Sequence, residues 1–351
     1  MKLLIFADPH WCSYSSIVRS RGNKYSTRLE NLIATMNWIE DQAESNYCDA
    51  IICLGDFFDR PELDAESITA LQEINWCNKP HYFIVGNHEM GTNNLDYSSS
   101  HLFDLNIDFY VINKPTVHNQ GDTSIVYLPY ILESDRKPLV EYINKHDLRS
   151  HVIIMSHNDI AGINMGKFIS QDGFNISEIE DNCDLFINGH IHNENDIGKK
   201  IINLGNITGQ NFSEDAFKYS HNILILDTVS RNISTIENPN ALNFYKLDFT
   251  NYTDSESDLR NIVSTIDNLK NNSILTVKIK EKMSFCIKDL LASSSNILTY
   301  RLIIDYESSD THHIDLEDSP SVNHIDKFKQ YILSNIAGDN IINEELQKIV
   351  G

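Results

Sequence analysis

Residues 50–60 read Ala50-Ile51-Ile52-Cys53-Leu54-Gly55-Asp56-Phe57-Phe58-Asp59-Arg60. An apolar run closed by a glycine and an acid predicts a buried strand over Ala50 to Leu54 that delivers a carboxylate at its carboxyl end. The same grammar recurs along the chain. Leu3 to Ala7 leads into Asp8-Pro9-His10, and His81 to Val85 leads into Gly86-Asn87-His88-Glu89. His151 to Ser156 leads into His157, and Leu185 to Asn188 into Gly189-His190-Ile191-His192. Between the first two runs, Leu29, Leu32, Ile33, Met36 and Ile39 fall at helical spacing, and a second helix is expected near Asp64 to Asn75. Further strands are expected at Ser124 to Leu128, Lys200 to Leu204 and Ile223 to Asp227. Strands alternating with amphipathic helices predict an α/β fold with helices covering a sheet. In open sheets of this kind ligands sit beyond the carboxyl ends of the strands, so the five polar clusters can converge on one site.

The clusters supply oxygen and imidazole donors and no thiol, a mix that suits Mn, Fe, Zn or Co and argues against a structural cysteine-based zinc. Asp8, His10 and His192 make one set. Asn87, His157 and His190 make a second, and the two oxygens of Asp56 can bridge both. Such a set holds two divalent metal ions with positions left for water, the arrangement used to hydrolyse phosphoesters with metals about 3.5–4 Å apart. The glycines at 55, 86 and 189 allow tight turns and close backbone approach.

Composition narrows the class. The chain has 351 residues, 41% hydrophobic and 22% charged, enough for two or three globular domains. No apolar run approaches the ~18 residues of a membrane span. Lys and Arg number 28 against 50 Asp and Glu, so tight, salt-sensitive DNA binding by this chain alone is disfavoured. One segment departs from that balance: Trp11 to Leu29 has no acid but contains Arg19, Arg21, Lys24 and Arg28, well placed to hold a phosphate backbone near the first metal motif. Trp11 and Tyr14 are candidates to stack on a base or to pack at the rim. Six scattered cysteines without a C-x-x-C pair fit a reducing, cytoplasmic setting. The apolar start is too short for a signal peptide and reads as a first strand.

Beyond Asn238-Pro239-Asn240 the pattern changes. Phe244 to Phe249, Ile274 to Ile279 and Leu298 to Tyr306 alternate like strands. An amphipathic helix (Leu259, Ile262, Val263, Ile266, Leu269) and a second at Ile287 to Ala292 lie between them. Glu307 to Asp318 is polar and acidic, and two short amphipathic helices, Asp326 to Ala337 and Ile341 to Val350, end the chain. The expected organisation is a catalytic domain over 1–240, an α+β unit over 241–308, and a linker with terminal helices over 309–351.

The set D-x-H, G-D-x-x-D-R, G-N-H-E, a strand ending in His, and G-H-x-H resembles the calcineurin-like metallophosphoesterase superfamily over about residues 1 to 240. That resemblance implies a double β-sheet sandwich flanked by helices, and the same seven ligands with Asp56 bridging. Within the superfamily the chain is most similar to the SbcD-type DNA repair and recombination nucleases, a group that includes T-even phage recombination endonuclease subunits. Gly205-Asn206 and Asn211-Phe212-Ser213-Glu214 are similar to that group's glycine turn and S-F-x-E-like stretch, and the unit after 240 to its small capping domain.

The resemblance implies a Mn-dependent DNA exonuclease and endonuclease. Its partners would be DNA and an SbcC-type coiled-coil ATPase, the chain acting as a homodimer within a heterotetramer in the cytoplasm (of a host cell, if phage-encoded). The terminal helices would dock on the coiled coil. The Leu29 to Ile39 region or the helix after Asp64 would form the homodimer contact. His88 would orient the phosphate or protonate the leaving oxygen. Asp59 would orient a ligand, or pair with Arg60 to brace the loop. Nuclease relatives often carry histidine where Asp59 stands, so the chain departs from the pattern there. A stand-alone enzyme acting on a small phosphate ester, cyclic nucleotide or phosphoprotein is the alternative. A degenerate non-catalytic scaffold is disfavoured by the complete ligand set.

Overall fold

A computed structural model describes residues 1–15, 17, 24–143, 147–163, 169–193 and 195–305. Its strands are β1 (Lys2–Phe6), β2 (Ala50–Cys53), β3 (His81–Ile84), β4 (Phe109–Ile112), β5 (Thr116–Gln120), β6 (Thr123–Leu128), β7 (His151–Ser156), β8 (Ile160–Ala161) and β9 (Phe174–Asn175). They continue with β10 (Leu185–Asn188), β11 (Asn195–Ile197), β12 (Ile201–Asn203), β13 (Asn222–Asp227), β14 (Ile233–Glu237), β15 (Asn243–Asp248), β16 (Ser273–Lys280) and β17 (Ile297–Asp305). The helices are α1 (Thr27–Ser45), α2 (Ala65–Ala70), α3 (Leu139–Ile143), α4 (Ile176–Asn182), α5 (Glu256–Asp267) and α6 (Ser284–Ser293).

Two six-stranded sheets carry the site. The first runs β14-β13-β1-β2-β3-β4 and the second β11-β12-β10-β7-β6-β5. The strands that end in the polar clusters are parallel within each sheet, with β1 paired to β2, β2 to β3, and β7 to β10. Their carboxyl ends therefore share one edge of each sheet. The period-two alternation of β1 explains how the sheets stack. Leu3 and Ile5 join Ile52, Ile84, Ile125, Tyr127, Ile153, Met155 and Ile187 in the core between the sheets. Leu4 and Phe6 point the other way, into a core with Leu29, Leu32, Met36 and Ile39 of α1. Burying such side chains contributes roughly 1.5–3 kcal/mol each, and β1 is apolar from Leu3 to Phe6 because both of its faces are covered there. The outer face of the second sheet packs on α3 and α4 through Leu139, Ile143, Ile154, Ile179 and Phe186. The result is a mixed α/β sandwich with helices outside. The α1 stripe is spent on this core, which removes Leu29, Leu32, Met36 and Ile39 as an intermolecular contact. Ile68 on α2 remains exposed.

Residues 243–305 form a separate three-stranded sheet, β15-β16-β17, all parallel, with α5 and α6 supplying the two crossovers. It meets the turn after β12 through backbone hydrogen bonds from Gly209 to Leu242 and from Ala216 to Phe244. The terminal helices expected at Asp326 to Ala337 and Ile341 to Val350, and residues 306–308 of the α+β unit, lie outside the described residues. Among the described helices none is long and apolar enough to cross a membrane. The described cysteines Cys12, Cys48, Cys53, Cys77 and Cys183 are free thiols.

Candidate metal centre

Both sheets contribute donors from their shared edge. From the first come Asp8 and His10 after β1, Asp56 after β2 and Asn87 after β3; from the second come His157 after β7 and His190 and His192 after β10. Asp8, His10, Asp56 and His157 are buried, and Asn87, His190 and His192 are partly exposed. Ligating atoms of Asp8, His10 and His192 lie within 4.8 Å of one another, as do those of Asp56, His157 and His190. Asn87 Oδ1 is 3.3 Å from His157 Nε2. The structure thus brings together all seven residues singled out from the strand ends.

Four of them hold the left-handed backbone that side chains rarely adopt: Asp8 (φ 53°), His10 (φ 47°), Asp56 (φ 47°) and His190 (φ 70°). Each such residue costs on the order of 1–3 kcal/mol and persists only where the surroundings enforce it. Two glycines make the required room. A Cβ on Gly55, itself at φ 106°, would lie 2.2 Å from His157 Nδ1. One on Gly86 would lie 2.2 Å from Asp56 Oδ1.

The hydrogen bonds orient the donors inward. His157 Nδ1 donates to the Leu54 carbonyl at 2.7 Å, which turns Nε2 toward Asp56 Oδ2 at 3.1 Å. That buried Oδ2 accepts no hydrogen bond. His10 Nδ1 lies 3.1 Å from Asp59 Oδ1, and its Nε2 meets His192 Nε2 at 3.2 Å. Ring nitrogens turned toward one another and an orphaned buried carboxylate oxygen fit cations between them. Asp56 and His157 share the buried charge. Burial alone would raise the Asp56 pKa, but the His157, His10 and His88 imidazoles together hold the carboxyl well below its usual range. His157 feels the reverse: burial opposes its charge, yet Asp56 lifts it to about 9. Burial, then the nearby His10, pushes His192 far down, keeping it a neutral donor. Asp8 is raised by burial against the pull of His157.

The remaining predicted site residues fall differently. His88 is exposed; its backbone N–H donates to Asp56 Oδ1 at 2.9 Å and its Nδ1 to the Asp59 carbonyl at 3.1 Å, and a ring nitrogen lies within 4.8 Å of donor atoms of His10 and Asp56. Asp59 and Arg60 do not brace the loop by pairing with each other. The Tyr14 hydroxyl joins them, donating to Asp59 Oδ2 and accepting from Arg60 Nε, while the guanidinium stacks 3.7 Å over the Tyr14 ring. Arg28 corrects an expectation: it is 1% exposed and donates to the carbonyls of Pro9 (2.7 Å) and Gly209 (3.0 Å), so it anchors the first metal loop and is not on the surface to meet DNA. Lys24 is exposed, but Glu73 pairs with it. Arg19 and Arg21 lie outside the described residues. Trp11 is 1% exposed and donates to the Ser67 carbonyl, which excludes base stacking in this state.

Three supports escaped sequence reasoning. Glu89, fully buried, accepts from the N–H groups of Phe58 and Gly86 at 3.0 Å, tying the second and third loops together. Burial, then the charge of Asp56, raises it to about 7. Asp159 accepts from His190 Nε2 at 3.1 Å, which aims Nδ1 of that ring at the site. The Asn158, Asn188 and Asn203 side chains cross-bond the loops after β7, β10 and β12. Glu89 stood inside a quoted motif; the other residues carry no pattern, because an asparagine or aspartate after a strand has many uses.

Residues 1–194 match the family model described as calcineurin-like phosphoesterase. The chain belongs to that family. Its members are metal-dependent hydrolases of phosphoesters, and the two donor clusters above are where this phosphoesterase would hold divalent cations. Among solved structures, TT1561 of Thermus thermophilus is similar over 67% of this chain and 98% of its own, at 12% identity and a TM-score of 0.39. The calcineurin-like phosphoesterase YfkN from Bacillus subtilis is similar over 76% and 96%, at 13% identity and 0.39. Yfce, a phosphoesterase from E. coli, is similar over 68% and 100%, at 11% identity and 0.31. No curated protein matches the phosphoesterase by sequence.

Proposed function

We propose that this phosphoesterase is a Mn-dependent DNA nuclease subunit that cleaves phosphodiester bonds as exonuclease and endonuclease beside a coiled-coil ATPase of the SbcC type. The observation that carries the hydrolytic reading is the convergence of seven donors around an orphaned Asp56 oxygen, with one exposed histidine at the mouth. Asp8, His10, His192 and Asp56 would hold one cation; Asp56, Asn87, His157 and His190 the other. Bound there, two divalent ions supply Lewis acidity, lowering the pKa of water and offsetting phosphoryl charge. An all oxygen and imidazole set accommodates Mn.

The chain's own residues do the rest. Protonated on both nitrogens, His88 gives Nδ1–H to the Asp59 carbonyl and presents Nε2–H to the leaving 3′-oxygen, a general-acid role. Asp59 Oδ1 lies 3.8 Å from His88 Nδ1, beside the same ring edge. Arg60 stands at the rim on Tyr14, positioned to meet phosphate.

The nuclease specialisation rests on the resemblance of the 205–214 segment and of the α+β unit. Gln210 Nε2 donates to the Asp8 carbonyl at 3.1 Å, Glu214 accepts from Asn206 and Gln210, and the N–H groups of Gly209 and Ala216 reach the Leu242 and Phe244 carbonyls, so this segment links the first metal loop to the α+β unit. The residues 241–305 would then cap the active face, the terminal helices would dock on the ATPase, and α2 would offer the homodimer contact.

The test is Mn-dependent cleavage of end-labelled double- and single-stranded DNA by the purified chain, beside His88→Ala and bis-p-nitrophenyl phosphate. DNA degradation that disappears in the variant supports the nuclease. Turnover of the small ester with both DNA forms intact favours the stand-alone phosphoesterase.

A further inference from the structure

At the opposite pole of the first sheet, Glu40, Cys77 and His81 bring a carboxylate, a thiol and an imidazole together, with donor atoms within 4.8 Å of one another. His81 opens β3 and Asn87 follows its far end; six residues at about 3.3 Å each separate the two positions by roughly 20 Å. Glu40 is 2% exposed and His81 1%, while Cys77 is partly open to solvent. We infer that Glu40, Cys77 and His81 form a second cation site, suited to a soft divalent ion such as zinc.

The orientation of His81 carries the argument. Its Nδ1 donates to the Lys79 carbonyl at 2.8 Å, which turns Nε2 toward both Glu40 oxygens, 3.1 and 3.2 Å away, where a cation would replace a shared proton. A ring fixed through one nitrogen by a backbone carbonyl, with the other facing a carboxylate, is the usual posture of a metal-ligating histidine. Donors bound tetrahedrally to zinc at about 2.0–2.3 Å stand about 3.3–3.7 Å apart; the His81–Glu40 pair is already near that spacing, and the Cys77 donor lies within 4.8 Å of both. The Cys77 backbone N–H donates to Glu40 Oε2 at 3.1 Å and holds the carboxylate in place. Trp76 closes one side, its ring edge-on to His81 at 5.4 Å. The partly open cysteine leaves an entry path and a fourth position for water.

Other charges nearby are Glu44, one helical turn beyond Glu40, and Lys79; the first favours a cation and the second opposes it. Burial, then the hydrogen bond to Glu40, pushes the Cys77 thiol far up, so the free site keeps its proton. Binding replaces the S–H bond by an S–metal bond and releases the thiol proton and the shared proton to water. The bound ion would staple α1, which carries Arg28 and thereby the first metal loop, to the β2–β3 connection.

The ligand set of the phosphoesterase centre contains no thiol, so a sulfur band that disappears with Cys77 reports on this site. Chelator-stripped full-length chain, kept reduced, is titrated with Co²⁺. A near-ultraviolet thiolate-to-cobalt charge-transfer band with the intensity of one cobalt–thiolate bond per chain is expected, present in Asp8→Asn and absent in Cys77→Ser. A folded wild-type chain without the band, or a band that survives in Cys77→Ser, overturns the inference in favour of a cation-free Glu40–His81 hydrogen bond. A measurement on the wild type alone covers a variant that fails to fold. Zinc is expected to slow alkylation of Cys77 by iodoacetamide about tenfold, read by peptide mass spectrometry; an unchanged rate overturns the site.

Discussion

The two sheets reach the metal centre by different means. The first sheet supplies two carboxylates, an amide and one imidazole, and it holds three of these, Asp8, His10 and Asp56, on left-handed backbone. The space for them comes from missing side chains at Gly55 and Gly86. The second sheet supplies only imidazoles, and of those only His190 has positive φ. Its loops are held by side-chain bonds, from Asp159 to His190 and among Asn158, Asn188 and Asn203. One half is shaped by backbone strain and clearance, the other by a polar network. Strained backbone fails abruptly when its clearance is filled, whereas a hydrogen-bond network loses its members one at a time.

The largest effect should come from the residue that joins the halves. Asp56→Asn removes the shared carboxylate, and phosphodiester turnover should fall by about 10³-fold or more. Activity within tenfold of wild type would mean that the halves work independently. His88→Ala should cost about 10²–10⁴ in kcat, with the same cation content by elemental analysis. A variant that also loses metal would move His88 from the acid role into the ligand set.

The next pair sets one half against the other. Gly86→Ala places a methyl 2.2 Å from Asp56 Oδ1 and 2.6 Å from its backbone nitrogen. It should destabilise the fold by about 1–3 kcal/mol in urea melts and also reduce turnover, because Asp56 must move. Asp159→Asn keeps the size of the group and weakens only the hold on His190, so apparent metal affinity should fall about 10–100-fold while the urea midpoint stays. If both variants behave alike, the contrast between strain and network is wrong.

The smallest effect lies where the halves touch away from the metals. His221, just before β13, is 5% exposed and its Nδ1 donates to the Asn206 carbonyl, whose own N–H reaches the His192 carbonyl. Burial lowers its pKa from 6.5 to about 4. Between those values the unfolded chain binds a proton that the folded chain refuses, so stability should fall as pH drops from 6.5 toward 4, by at most about 1.4 kcal/mol per pH unit. The difference between wild type and His221→Gln isolates this contribution from Glu214, which burial raises to about 7 and which acts in the opposite sense. A pH-independent difference would show that the fold leaves the His221 pKa at its unfolded value.

Much of the catalytic face was legible in the chain. Apolar runs ending in Asp, Asn or His marked β1, β2, β3, β7 and β10, since a strand buried on both faces writes a continuous apolar signature. The short strands β5, β8, β9 and β11 and the edge strands β4 and β14 were not read. β4 is only partly buried, and β14 alternates on an exposed edge with only two isoleucines, too little signal to separate from a loop. Arg28 was misread for a related reason. A local excess of positive charge looks the same whether the side chain meets solvent or two backbone carbonyls 19 and 181 positions away.

The sequence by itself determined which residue types stand at the strand ends, and therefore the chemistry on offer: oxygen and nitrogen donors for two cations and one spare histidine. Only the tertiary structure decided that Asp8, His10, Asp56 and His190 turn left-handed, that Tyr14 links Asp59 to Arg60, and that Glu40, Cys77 and His81 meet. Periodicity and turn chemistry are local and can be read along the chain. Backbone strain, burial of charge and the meeting of distant side chains depend on which sheets and helices pack together, and that is settled by the free energy of the whole core.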